Sequence, residues 1–318
     1  MKIHKDFDLS KLLWYKIGGN ARYLLEVESS QDLKEAAEFI QKEKIKKFMP
    51  VGLGANLIFT DDYYNGAIIH ITSWGKPRRS ENTVEAFSGI VLDDVIQFSF
   101  EQSLIGLEWA GGLPGTVGAG VRGNVGAFGG EIKDTFESGE LVELLDDTVR
   151  VKTLSNDEFH FGYRDSVLKH KRNLLLSNAR FTLKKATPQE LEEAKNTYTS
   201  NTEYRKKNHP LDYPNCGSVF KNIKRPEDVE KVLEVTPDLA ETIETKWHGK
   251  VSMGYLIHYL GFAGYRVGNA QVSEKHNNFI VNLGGAKFLD VITIIQAIQN
   301  KCEEVFGFKP EVEVEIVS

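Results

Sequence analysis

Apolar positions along the chain fall into two rhythms, and their order predicts the elements. Over 31–44, Leu33, Ala36, Ala37 and Ile40 recur at helical spacing behind Ser29 and Ser30, so a serine-capped helix is expected. The same rhythm marks 92–106, 187–205 and 290–306, with shorter helices around Asp228 and over 255–260. Strand patterns occupy the residues from the Gly18-Gly19 turn to Val27, then 47–51, 68–72, 84–88, 140–145, 148–152 and 174–184, with Asp146-Asp147 as a turn. Further strands are expected at 270–272 and 279–282. The last residues, PEVEVEIVS, alternate strictly and predict a closing strand with Glu311, Glu313 and Glu315 on one face. Strand follows strand in the middle of the chain, so the class is α+β rather than a run of βαβ units.

One stretch fits neither rhythm. Between Gly111 and Gly130, nine of twenty residues are glycine, interleaved with Leu113, Val117, Val121, Val125 and Phe128. A flexible linker is rich in serine and charge. Glycine alternating with apolar residues describes packed backbone that takes positive φ or passes close to something. Successive turn amides can cradle an anion, and a side chain there would block a pyrophosphate. The alternative is a buried structural turn. No Lys-Ser/Thr pair closes the run as in a P-loop, and Gly52-Leu53-Gly54 is only half a Rossmann fingerprint. A dinucleotide would therefore be held in some other way.

Charge and composition narrow the class. The chain has 318 residues, 41% hydrophobic and 26% charged, as expected of a globular protein of two or three domains. A net charge of −6 disfavours non-specific nucleic-acid binding. Neither a membrane span nor an apolar signal core is visible, so a cytoplasmic location is expected. Cys216 and Cys302 are expected to be free thiols, and the eight histidines show no metal-ligand spacing, so no metal is expected.

Three segments could carry chemistry. FGYRDSVLK places Tyr163 and Arg164 in a loop before a strand; a lone arginine there is more often a solvated charge. NCGSVFKN places Ser218 in a proline-bearing loop, 206–222, expected to cross between lobes; it lacks the G-x-S-x-G context of a hydrolase nucleophile. Evenly spaced glutamates near the C-terminus are more often a solvated edge face.

Together these motifs resemble one family, the UDP-N-acetylenolpyruvoylglucosamine reductases (MurB). The matching segments are IGGNA (17–21), GLGANLI (52–58), GGLPGTVGAG and GNVGAFGGEI (111–120 and 123–132), YRDS (163–166), GSVFKN (217–222) and VGNAQVSEKHNNFIVN (267–282), spanning nearly the whole chain. The resemblance implies a two-subdomain FAD-binding lobe of the PCMH type over 1–205, split near 80, and a smaller α+β substrate lobe over 206–318. It implies noncovalent FAD, NADPH as hydride donor, and reduction of UDP-N-acetylglucosamine enolpyruvate to UDP-N-acetylmuramate in peptidoglycan precursor synthesis, with no oligomer required.

By the same resemblance, Gly52, Gly54, Ala55, Asn56, Leu57, Gly112, Pro114, Gly115, Thr116, Gly118, Asn124, Gly126 and Ala127 hold the cofactor. Arg164 stabilises the enolate, Ser218 donates the proton, and Glu313 is the third catalytic residue, with Glu311 competing for that place. Tyr163 and Asn222 are expected to contact substrate, and Lys206, Lys207 and Lys221 are candidate charges for its diphosphate, the alternative being solvated surface lysines. Ala55, Ile223 and His258 depart from the usual residues; Ala55 forgoes one hydroxyl donor, a loss of about 1 kcal/mol. The spacing from YRDS to GSVFKN resembles the subtype without an extra substrate-covering loop. Competing readings are a noncovalent flavin oxidase of the same superfamily and a catalytically silent UDP-sugar- or flavin-binding relative.

Overall fold

Ser29 takes extended backbone and its hydroxyl accepts from the amide of Asp32, starting the helix Ser30–Lys42 as the pattern dictates. Its buried face, Leu33, Ala36, Ala37 and Ile40, packs with Tyr23, Val27, Ile69 and Ile71. The structure, a computed structural model, describes residues 1–73, 75–146 and 148–318. The expected turn at Asp146-Asp147 lies partly outside the described residues.

The chain forms two compact units, and the α+β class holds for it. The first comprises Met1–Phe7, Ala21–Leu53 and Tyr64–Lys207; the second comprises Asp8–Asn20, Gly54–Tyr63 and Asn208–Ser318. Segments 8–20 and 54–63 thus cluster with C-terminal residues far away in sequence.

In the first unit, one sheet has the order Lys2–Asp8, Asn20–Val27, Tyr64–Ile71, Phe48–Val51. Tyr64–Ile71 runs parallel to both of its neighbours, which explains its nearly continuous burial. A second, larger sheet is antiparallel, in the order Val149–Ser155, Phe136–Leu144, Leu174–Thr182, Thr83–Phe87, Arg78–Ser80. Val84, Ala86, Ala179, Phe181 and Leu141 form its core with Val117 and Val121 of the glycine stretch.

The second unit packs the long helix Phe288–Phe306 against a small antiparallel sheet of Arg266–Val267, Ala270–Val272 and Ile280–Asn282. Val291, Ile294, Ile295, Ile298, Cys302 and Phe306 make the helix's buried stripe. Gly307, at φ 74°, ends the helix in the left-handed conformation that favours glycine.

Four expectations are corrected. The helix expected over 92–106 ends at Glu101, because Ser103 takes φ 55° and Leu104–Ile105 pairs as a strand with Lys184–Lys185. Its apolar continuation records strand burial, not more helix. The helix expected to end at Arg205 continues to Asn208. The segment after Arg164 is a short helix, Val167–His170, before the strand begins at Leu174. The closing strand is regular only over Glu315–Val317, parallel to Leu57–Phe59, while Val312 bridges Phe220 in the opposite sense. Changing partners breaks the alternation: Val314 is buried and Ile316 exposed, so the three glutamates do not line one regular strand.

Candidate functional site

Close packing explains several of the glycines at 111–130. A β-carbon on Gly111 would stand 2.4 Å from the Tyr198 carbonyl, and one on Gly130 would stand 2.4 Å from the Trp109 ring. Gly118 lies against Ser88 and donates to its carbonyl at 2.8 Å. Thr116 is buried, caps the helix Val117–Arg122 and blocks any side chain at Gly52, whose β-carbon would approach its hydroxyl to 2.5 Å. Gly112 takes φ 69° against Thr202. Gly115, after Pro114 and at φ 151°, faces open space. Among the described residues, the amides of Gly115 and Thr116 meet no protein acceptor.

Three buried polar atoms beside this stretch also lack protein partners: Ser88 Oγ, Trp109 Nε1 and Arg205 Nη2. Each sits against a glycine of the run, since Arg205 donates through Nε to the Gly111 carbonyl at 3.0 Å. Arg205 is 9% exposed and lies over the Phe128 ring at 5.2 Å. Burial, then repulsion from Arg164, lowers its pKa. A buried guanidinium without a carboxylate is costly unless an anion completes it. Open glycine, unspent amides and an unpaired cation together fit a bound phosphate-bearing cofactor.

Asn124 behaves differently from the other expected cofactor residues. It is fully buried at φ 37°, and both amide hydrogens are spent, on Gly162 O (2.8 Å) and Glu131 Oε2 (3.0 Å). Gly162 and Asp165 bridge across the turn that carries Arg164, which has φ 58°. Arg164 donates through Nη2 to Gly126 O at 2.6 Å and lies over the Tyr163 ring at 5.2 Å. Gly126 and Ala127 pair with Glu131 and Gly130 in a tight hairpin.

The remaining candidates belong to the second unit, apart from Lys206 and Lys207, which are exposed on the helix Pro188–Asn208 of the first. Gly54, at φ 68°, packs on Leu13; Ala55 O lies 3.7 Å from where a Gly217 β-carbon would be; Asn56 O accepts from Glu315 N, which starts the Leu57 pairing. Ser218 is half-buried between Gly217, at φ 79°, and buried Val219. Glu313 N donates to Val219 O at 2.8 Å, so Glu313 runs beside the serine loop. Lys221 pairs with Glu311, and Asn222 Oδ1 accepts from Met253 N at 3.1 Å.

Residues 21–153 match the FAD binding domain family and 209–317 the C-terminal domain of UDP-N-acetylenolpyruvoylglucosamine reductase. The chain is 36% identical over 313 residues to the UDP-N-acetylenolpyruvoylglucosamine reductase of Caldicellulosiruptor bescii, covering 98% of this chain and 90% of that protein. It belongs to this reductase family. The Listeria innocua reductase is 34% identical, covering 97% of this chain and 93% of its own. The crystal structure of the reductase from Thermus caldophilus superimposes with TM-score 0.74 at 27% identity, covering 100% and 98% of the two chains.

Arg205, Trp109 and Ser88, whose buried polar atoms lack protein partners, were not singled out by the sequence motifs. Arg205 did leave a signal: it follows Ala194 and Asn201 on the buried stripe of its helix, where a charge is out of place. Among the described residues, no group of three His, Cys, Asp or Glu is placed to hold a metal, and no helix is long and apolar enough to cross a membrane.

Proposed function

We infer that this chain reduces UDP-N-acetylglucosamine enolpyruvate to UDP-N-acetylmuramate, using NADPH and noncovalent FAD, in peptidoglycan precursor synthesis. Family membership across nearly the whole chain supports the reaction, and the orphaned Ser88, Trp109 and Arg205 atoms on the glycine stretch support the cofactor. The second of these is the observation of this chain itself that carries the reading. The cytoplasm, where Cys216 and Cys302 stay reduced, is the compartment it implies.

Bound in the glycine stretch, FAD would supply the hydride-carrying chemistry that links NADPH to C3 of the enolpyruvyl ether. Negative charge then develops at C2 and the carboxylate, and Arg164 supplies the positive charge aimed at it. Ser218 delivers the proton to C2, with Glu313 beside its loop tuning the serine and restoring its proton. Gly52, Gly112, Pro114, Gly115, Thr116, Gly118, Gly126 and Ala127 of the first unit, and Gly54, Ala55, Asn56 and Leu57 of the second, are the residues assigned to hold the cofactor. Tyr163, Lys206, Lys221 and Asn222 are assigned to the UDP-sugar.

Ser218→Ala tests the reading. Under it, NADPH still bleaches the flavin bands at an unchanged rate, while turnover with the enolpyruvyl UDP-sugar falls by about 10²-fold or more. Unchanged turnover would remove Ser218 from the reaction. A folded protein that binds no flavin would remove the whole assignment.

A further inference from the structure

Arg164 stands in a backbone conformation that L-residues rarely adopt, φ 58°, in a turn that closes on itself through Gly162 and Asp165. Such a residue costs about 1 kcal/mol or more and persists only where its surroundings hold it. Three side-chain hydrogen bonds are among the holders. Lys169 Nζ donates to the Arg164 carbonyl at 2.6 Å, Ser166 Oγ to the Arg122 carbonyl at 2.8 Å, and Asn124 Nδ2 to the Gly162 carbonyl at 2.8 Å. Two of the three tie the turn to the glycine stretch, and of these Asn124 is the one that reaches out from the stretch with its own side chain.

Asn124 is anchored from both sides. Its Oδ1 accepts from Lys133 N at 3.0 Å and its second amide hydrogen goes to Glu131 Oε2 at 3.0 Å. Glu131 in turn pairs across the hairpin with Gly126, whose carbonyl receives the Arg164 guanidinium at 2.6 Å. The backbone and the side-chain tip of Arg164 are thus both tied to one short hairpin of the glycine run. An asparagine suits this post because it tolerates positive φ, donates twice and accepts in one plane.

We propose that Asn124 is a positioning residue for Arg164: it spends its side chain orienting the arginine turn from the glycine stretch. This rests on the reading of Arg164 as the charge that meets the developing enolate. Only the step that uses Arg164 should suffer when Asn124 is changed. A misplacement of about 1 Å costs on the order of 10²-fold in such a step.

Stopped-flow flavin absorbance on the FAD-loaded full chain separates the two half-reactions. Asn124→Gly keeps the left-handed backbone and deletes the side chain; Asn124→Asp keeps the size and places an acceptor against two acceptors. Both should leave flavin reduction by NADPH within about threefold, and should slow reoxidation by the enolpyruvyl UDP-sugar about 10- to 100-fold. In an Arg164→Ala background, Asn124→Gly should add no more than about threefold, because the group it positions is gone. Equal slowing of both half-reactions, an undiminished effect in that background, or failure of both variants to fold and hold FAD overturns the proposal. Normal reoxidation in Arg164→Ala itself would overturn the reading of Arg164 instead, whereas slow Arg164→Ala with normal Asn124 variants would sink the positioning role alone.

Discussion

Lys221 grips Glu311 in an ion pair of 2.5 Å, and this contact separates two glutamates that spacing alone left in competition. The two segments are in register: Lys221 N donates to Glu311 O, Phe220 bridges Val312, and Glu313 N donates to Val219 O. Glu311 is thereby committed to a lysine two residues beyond the FKN phenylalanine's predecessor, at the exposed end of the pairing, with its own side chain 70% exposed. Glu313 instead pairs through its backbone with Val219, the neighbour of Ser218.

Glu313→Gln is therefore expected to lower turnover by about 10-fold or more, while flavin reduction by NADPH is unchanged. Glu311→Gln breaks an exposed pair worth less than about 1 kcal/mol and should leave turnover within about twofold. Steady-state rates of the two variants decide it. A larger loss for Glu311→Gln would reverse the assignment.

Gly130 offers a stability test of the glycine stretch. A methyl group there would need 2.4 Å from the Trp109 ring, whose neighbours Ile132, Val117 and Phe136 belong to the same buried cluster. Gly130→Ala should destabilise the protein by about 1–3 kcal/mol, as overpacking does, and weaken FAD binding because Trp109 Nε1 shifts. Gly129→Ala, with nothing within 4 Å of its β-carbon, meets only backbone strain at φ 90°. Urea midpoints of both variants would show the difference.

Burial pushes the thiols of Cys216 and Cys302 each up to about 12. An unfolded thiol titrates near 8.5. Below that value both states hold the proton and nothing changes. Between roughly 9 and 12 the unfolded chain releases protons that the folded chain keeps, so stability falls as pH rises through this window. Urea midpoints at pH 8 and about 10.5 should show the fall, and Cys216→Ala with Cys302→Ala should flatten it. An equal slope in the cysteine-free protein would assign the effect to other groups.

Periodicity read well where one partner surface decides the burial of an element. The stripe Leu33, Ala36, Ala37, Ile40 became one helix face, and Ala270–Val272 appeared with the expected bounds. It failed where a segment changes partners: Leu104–Ile105 looked helical because both a helix and a paired strand bury leucine, and the C-terminal alternation did not show that Val312 and Glu315 bond to different neighbours. The site was legible through motifs, yet their spacing could not tell a ligand-facing side chain from an anchoring one. Asn124 and Thr116 looked alike in sequence; the hydrogen bonds show Asn124 spent on Gly162 and Glu131, and Thr116 spent on its own helix start.

Arg205 separates what a fold tolerates from what a ligand requires. Its guanidinium is buried, its Nη2 has no protein partner, and desolvation followed by the Arg164 charge lowers its pKa. In the flavin-free protein that charge is a burden, since removing an unpaired buried ion in favour of an apolar chain of similar length is neutral or stabilising. On the proposed reading, that charge is completed by an anion of the cofactor when FAD binds. Arg205→Met should thus leave the thermal midpoint of the flavin-free protein equal or higher, while weakening FAD binding by about 10-fold or more, the worth of one charge-assisted hydrogen bond. Thermal unfolding of the flavin-free variant and a fluorescence titration with FAD test both halves. A variant that loses stability yet binds FAD as tightly as before would show that Arg205 serves the packing of Gly111 and Phe128 and not the cofactor.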